Sequence, residues 1–154
     1  RLPEALAVPV GNGTLLLGLH LGLKSLFAGG AIGRMPMVIA VQAARCAPLY
    51  RAFIGGKRTV APVVNEGTAA EGIAIAAPVR GAQMLEALRE MGGTVVEAGE
   101  EDIIRYGTLL SKSGIFAEPT SAATVAGAMA WAVGEGFKGT LALPMCGSGL
   151  KSLH

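Results

Sequence analysis

Gly11-Asn12-Gly13-Thr14 is the first place along the chain where residue types and spacing could do chemistry. The run LAVPV at 6–10 reads as a short buried strand, and the apolar stretch 14–28 after it reads as a helix. A glycine turn between a strand and a helix presents unpaired N–H groups at the positive end of the helix dipole, where an anion binds. Glycine removes the Cβ that would hold a phosphate away from the backbone. Thr14 can add a hydroxyl bond and Asn12 an amide donor. The dinucleotide fingerprint is incomplete, because Leu16 stands where G-x-G-x-x-G has its third glycine, and the Gly-Lys-Ser/Thr of a P-loop is absent. On local sequence alone, a phosphate cradle and a plain tight turn stand as equal readings.

The other reactive side chains are dispersed. Cys46 and Cys146 lie far apart and match no metal-ligand spacing, so a reduced, intracellular chain is expected. By itself Cys146 reads as a small core residue. Glu71 reads as part of a solvated helix face, His20 as a packed or hydrogen-bonded helix residue, and His154 as an uninformative terminal residue.

These residues need elements to position them. Further strands are expected at 38–42 (VIAVQ), 94–97 and 140–143. Helices are expected at 14–28, with Leu15, Leu19 and Leu26 near one face, and at 47–53, 68–75 and 82–91. An acidic start at Glu100, Glu101 and Asp102 opens another, running to about Lys112 with Gly114 as its stop. An alanine-rich helix follows through Val133, with Thr120 or Ser121 as its N-cap. Strands alternate with helices, and the strands are continuous apolar runs. That pattern predicts an α/β fold, a three-layer αβα sandwich with a mostly parallel sheet.

Composition narrows the class. The 154 residues are 51% hydrophobic and 16% charged, which suits one cored domain and excludes a disordered chain. A net charge of +2 with scattered basic residues supports a nucleic-acid partner only weakly, and none is expected. The stretch 14–33 is apolar, but His20, Lys24 and Ser25 interrupt it, so a buried helix is expected rather than a membrane span. No signal peptide is visible, and a cytoplasmic location is expected.

Three segments then raise the odds of a ligand site. V-P-V-G-N-G (8–13), F-A-E-P-T-S-A-A (116–123) and C-G-S-G-L-K (146–151) stand in an order that resembles one family. The chain resembles the C-terminal portion of the threonine synthase-like, tryptophan-synthase-β-type pyridoxal phosphate enzymes of fold type II. The resemblance implies that Gly11, Asn12, Gly13, Thr14 and Leu15 bind the phosphate of pyridoxal 5'-phosphate and that Cys146 faces its pyridine nitrogen. A thiol there leaves the ring a weaker electron sink than a carboxylate would, which suits elimination and replacement on amino acids. Glu118 lies near the cofactor by the same resemblance; its other reading is a carboxylate stabilising the helix that follows.

The resemblance sets further expectations. Residues 1–154 would be the C-terminal, large-domain portion of a longer parent, with the N-terminal half and its Schiff-base lysine absent. Lys24, Lys57, Lys112, Lys138 and Lys151 do not sit in the Ser-x-Lys-x-Arg-like context of that lysine, so this chain alone is expected to lack catalysis. Gln42 stands where some relatives carry a metal-binding acid, so no metal site is expected. The parent is read as a homo-oligomeric lyase of amino-acid biosynthesis, acting on a small amino acid. Threonine synthase-like elimination and hydration of O-phosphohomoserine is the leading reaction. Cys146 leans towards serine/threonine dehydratase or diaminopropionate-type ammonia-lyase instead. A non-catalytic phosphate-ligand or assembly module on the same fold stays open.

Overall fold

The computed structural model describes residues 2–152, with the backbone alone at 151 and 152. Its frame is a sheet of β1 (Ala5–Pro9), β2 (Met37–Ala43), β3 (Thr94–Ala98) and β4 (Leu141–Ala142). All pairings are parallel and the order is β3-β2-β1-β4. Ala5 stands opposite Met37 and Pro9 opposite Val41, while Ile39 to Ala43 run beside Thr94 to Ala98.

Helices cover both faces, as continuous apolar strands require. On one face, Val8, Val38 and Ala40 pack against α1 (Thr14–Ala28), α2 (Pro48–Ile54) and α3 (Gly81–Glu90). On the other, Ala5, Ala7, Ile39 and Val41 pack under α4 (Glu100–Lys112) and α5 (Pro119–Gly134). Alternate strand residues therefore feed two separate cores, and the three-layer αβα expectation holds. Gly127 brings α5 close to the sheet centre, since a Cβ there would come within 2.6 Å of Val41 Cγ1.

Several local expectations change. The buried face of α1 is Leu16, His20 and Leu23, whereas Leu15 and Leu26 are exposed. This helix is apolar nearly all round, so periodicity alone does not select a face. The choice is made by α3. Glu90 accepts a bond from Lys24 Nζ at 2.9 Å and pairs with His20 Nε2 at 2.8 Å, and both contacts hold its carboxyl below the usual range. The helix expected at 68–75 is only a 3-10 turn, Glu71–Ile73, within a long irregular run. The strand expected at 140–143 contracts to Leu141–Ala142, which pairs with β1 alone among the described residues, and Pro144 offers no N–H to extend it.

The N-cap of α5 is Glu118 rather than Thr120 or Ser121. Pro119 takes the first helical position, where its fixed φ suits a helix start and its missing N–H costs nothing. Thr120 and Ser121 therefore fall inside the first turn and are buried. Among the described residues no helix is long and apolar enough to cross a membrane.

Candidate functional site

The strand order reverses beside β1. From β1 the chain passes through α1 to β2 on one side, and it later returns through α5 to β4 on the other. Parallel strands bordering such a reversal leave a crevice beyond their carboxyl ends. The turn at 11–13 leaves β1 there, and Cys146 follows β4 into the same place.

The turn is open to a ligand at its backbone. Gly13 is the N-cap of α1 with φ 85° and ψ 8°, a left-handed conformation natural to glycine. The first helical bond runs from Leu17 N–H to the Gly13 carbonyl at 2.9 Å. Among the described residues, no carbonyl or side chain accepts the amides of residues 11–16. Free N–H groups at the start of a 15-residue helix have the geometry with which helix N-termini bind anions. Packing holds the turn in place from behind. A Cβ on Gly13 would fall on the sulfur of Met84 in α3, and one on Gly11 would lie 3.0 Å from Ile75 Cγ1.

A short two-stranded contact builds the opposite wall. Gly149 N–H donates to the Phe116 carbonyl at 2.9 Å and Glu118 N–H to the Gly147 carbonyl at 3.0 Å, flanking an antiparallel bridge between Ala117 and Ser148. Cys146 N–H donates to Ser121 Oγ at 3.1 Å, which ties this turn to the first turn of α5. The thiol donates to the Pro144 carbonyl at 3.7 Å. Partial burial, and then the charge of Glu118, push the Cys146 thiol upward, so it stays a neutral donor at neutral pH. Glu118 makes no side-chain cap for α5; its carboxyl instead lies over Gly147, where any Cβ would collide with it.

All of the residues expected at the cofactor site, Gly11, Asn12, Gly13, Thr14, Leu15 and Cys146, line one pocket of about 330 Å³. Gly11 and Gly13 are buried, while Asn12, Thr14, Leu15 and Cys146 are exposed at its mouth. Gly72, Ile73, Ile75, Glu118 and Thr120 complete the lining, with Pro9 at its base. Sequence reasoning did not place Gly72, Ile73, Ile75 and Thr120 there, and only Pro119 could have signalled that Thr120 lies within the helix. Glu71 is exposed, as expected of a solvated position. Gln42 is fully buried and serves the backbone: its Oε1 accepts Leu49 N–H and Tyr50 N–H, and its Nε2 donates to the Val10 carbonyl. It thus fastens α2 to the strand end before the glycine turn. No lysine is among the described residues lining the pocket; Lys24 bonds Glu90, and Lys57, Lys112 and Lys138 are exposed. The Lys151 side chain and His154 lie outside the described residues.

Gly13→Ala tests this packing. The left-handed backbone and the overlap with Met84 act together, so the variant should lose about 2–4 kcal/mol of stability in urea unfolding. Gly134→Ala, with open space around its Cβ, should change stability by less than about 1 kcal/mol. Equal stabilities for the two variants would contradict the packing described.

Comparison with known proteins agrees with this geometry. A family model described as "Pyridoxal-phosphate dependent enzyme" matches residues 1–147. The chain is 33% identical to threonine synthase of Methanocaldococcus jannaschii over 128 residues, covering 82% of this chain and 32% of that protein. It is 32% identical to threonine synthase of Mycobacterium leprae over 153 residues, covering 97% and 40%. The chain thus spans about a third to two-fifths of the length of these curated relatives. Among solved structures, a threonine deaminase from T.th. superposes with a TM-score of 0.74 at 25% identity, over 96% of this chain and 44% of that one. Serine racemase of Dictyostelium discoideum shares the fold, with a TM-score of 0.70 at 21% identity over 96% and 44%. The chain belongs to the pyridoxal-phosphate dependent enzyme family.

Proposed function

We propose that this chain is the large-domain portion of a pyridoxal phosphate enzyme acting on a small amino acid, and that the pocket at the strand reversal is its cofactor site. One observation carries the reading: free amides and a neutral thiol line the same pocket. The donor set fits the group. The phosphate needs several N–H donors that no protein acceptor has taken, and residues 11–15 offer them with the Thr14 hydroxyl and the Asn12 amide nearby. A pyridine nitrogen needs a neutral partner if the ring is to stay unprotonated, and the Cys146 thiol is one. Pyridoxal phosphate, when bound, supplies a ring that withdraws electrons from the substrate's Cα.

The chain's own residues would then do three things. The glycine turn would anchor the phosphate and set the depth of the ring. Cys146, its backbone held by Ser121, would turn its single S–H from the Pro144 carbonyl to the ring nitrogen without giving it a full positive charge. Glu118 would help keep that thiol protonated, because its negative charge disfavours a thiolate. Because no lysine is among the described residues lining the pocket and none of the chain's lysines sits in the family's Schiff-base context, the cofactor-bearing lysine would come from outside these 154 residues, and this chain alone would not turn over.

The leading reaction is threonine synthase-like elimination and hydration of O-phosphohomoserine, supported by the identity to threonine synthases across most of this chain. Serine or threonine dehydration is the second reading, favoured by Cys146 and by the likeness to threonine deaminase.

Borohydride reduction of this chain mixed with pyridoxal phosphate should label no single lysine preferentially. Stoichiometric labelling at one lysine would refute the missing-nucleophile reading. In the intact enzyme, Cys146→Ser should retain cofactor binding and most activity, because a hydroxyl makes the same bond. Cys146→Asp should shift the cofactor absorption band and lower the rate by at least about 10-fold, since a carboxylate favours the protonated ring. A spectrum and rate indifferent to Asp would remove Cys146 from the ring.

A further inference from the structure

The first two turns of α5 carry buried hydroxyls whose fates differ. Thr124 is fully buried and donates its hydroxyl to the Thr120 carbonyl at 2.9 Å, the usual use of a threonine inside a helix. Ser121, also fully buried, accepts the Cys146 amide. Thr120 is only 7% exposed, yet its own hydroxyl makes no hydrogen bond among the described residues. Its oxygen is not sealed off, since the fully enclosed side-chain atom without a partner among the described residues is Glu100 Oε1; the Thr120 hydroxyl is therefore free to meet a ligand or water. The remaining exposure of Thr120 opens on the pocket that it lines with the glycine turn and Cys146.

The opposite wall is shaped around this hydroxyl. Gly72 belongs to the 3-10 turn Glu71–Ile73, and a Cβ on it would come within 2.7 Å of Thr120 Oγ1. A bare backbone thus faces the hydroxyl and offers it no bond. Placement along the pocket follows from its neighbours. Ser121, the next residue, holds the Cys146 amide, and the carbonyl of Gly72, the residue facing the Thr120 hydroxyl, lies 3.4 Å from where a Cβ on Gly11 would stand, so Thr120 sits between the Cys146 turn and the glycine turn.

We infer that Thr120 is a cofactor-contacting residue, its hydroxyl reserved for a polar edge atom of the pyridine ring, directly or through one ordered water; this rests on the pocket being the cofactor site. A hydroxyl both donates and accepts, so it suits a ring edge whose protonation changes.

The test is equilibrium binding of pyridoxal phosphate to the intact protein, read by dialysis and by the cofactor absorption band. Thr120→Val keeps the shape and deletes the hydroxyl, and should weaken binding about 3- to 10-fold. Thr120→Ser should restore affinity to within about twofold of the parent. Melting of the cofactor-free protein separates a binding role from a structural one. With no protein partner to lose, Thr120→Val should melt at the parent temperature or above it. Undiminished affinity in Thr120→Val, no rescue by Ser, or a lowered cofactor-free melting temperature would each overturn the inference. If the parent protein does not bind pyridoxal phosphate, or Gly13→Ala binds it as tightly, the cofactor-site reading fails first and takes this inference with it.

Discussion

Every strand of the sheet is parallel, and the chain leaves β1 on one side and comes back on the other. Nothing else in the molecule constrains the site so strongly. Because the strands point the same way, the segments after β1 and β4 emerge at one edge, and because they diverge, a gap opens between them. The glycine turn and the Cys146 turn face each other across that gap although Cys146 lies 132 positions beyond Thr14. A sheet with β4 inserted elsewhere would keep both motifs and lose the pocket.

Each half of the pocket is braced by a different core. On one face α3 holds α1 at two points, with Met84 behind Gly13 and Glu90 bonded to His20 and Lys24. The glycine turn is thus set by a packed helix pair and not by its own short loop. On the other face α5 lies close to the sheet through Gly127, and its first turn carries Ser121 and Thr120 to the crevice. Alternating strand residues keep these cores apart, and the turn Glu71–Ile73 joins the two walls, with Gly72 against Thr120 and Ile73 against Gly11. A rigid bound ligand benefits from such preorganised walls, because ordering costs are met before it arrives.

Much of this was legible in the order of residues. Apolar runs alternating with helical stretches announced a parallel sheet with two helical layers, and the GNG turn announced a helix start with free amides. The face of α1 was not legible, because leucines surround the helix and the deciding contacts come from Glu90, 70 residues beyond His20. Thr120 looked like an N-cap on its own, since threonine favours that position; Pro119 displaced the helix start and turned Thr120 inward. Gly72 read as part of a short helix, and only its contact with Thr120 explains why no side chain stands there. In each case the missing information was a neighbour outside the local pattern, and for α1 and Gly72 that neighbour is distant in sequence. Local propensity carries no record of such neighbours.

The central claim is that one pocket receives a phosphate at residues 11–15 and an aromatic ring at Cys146. A crystal structure of the protein soaked in pyridoxal phosphate tests this most directly. The account predicts phosphate oxygens on the free amides of the turn, with the ring nitrogen within hydrogen-bonding reach of Cys146 Sγ. A cofactor phosphate bound elsewhere, with the amides of the turn closed by protein acceptors, would contradict it.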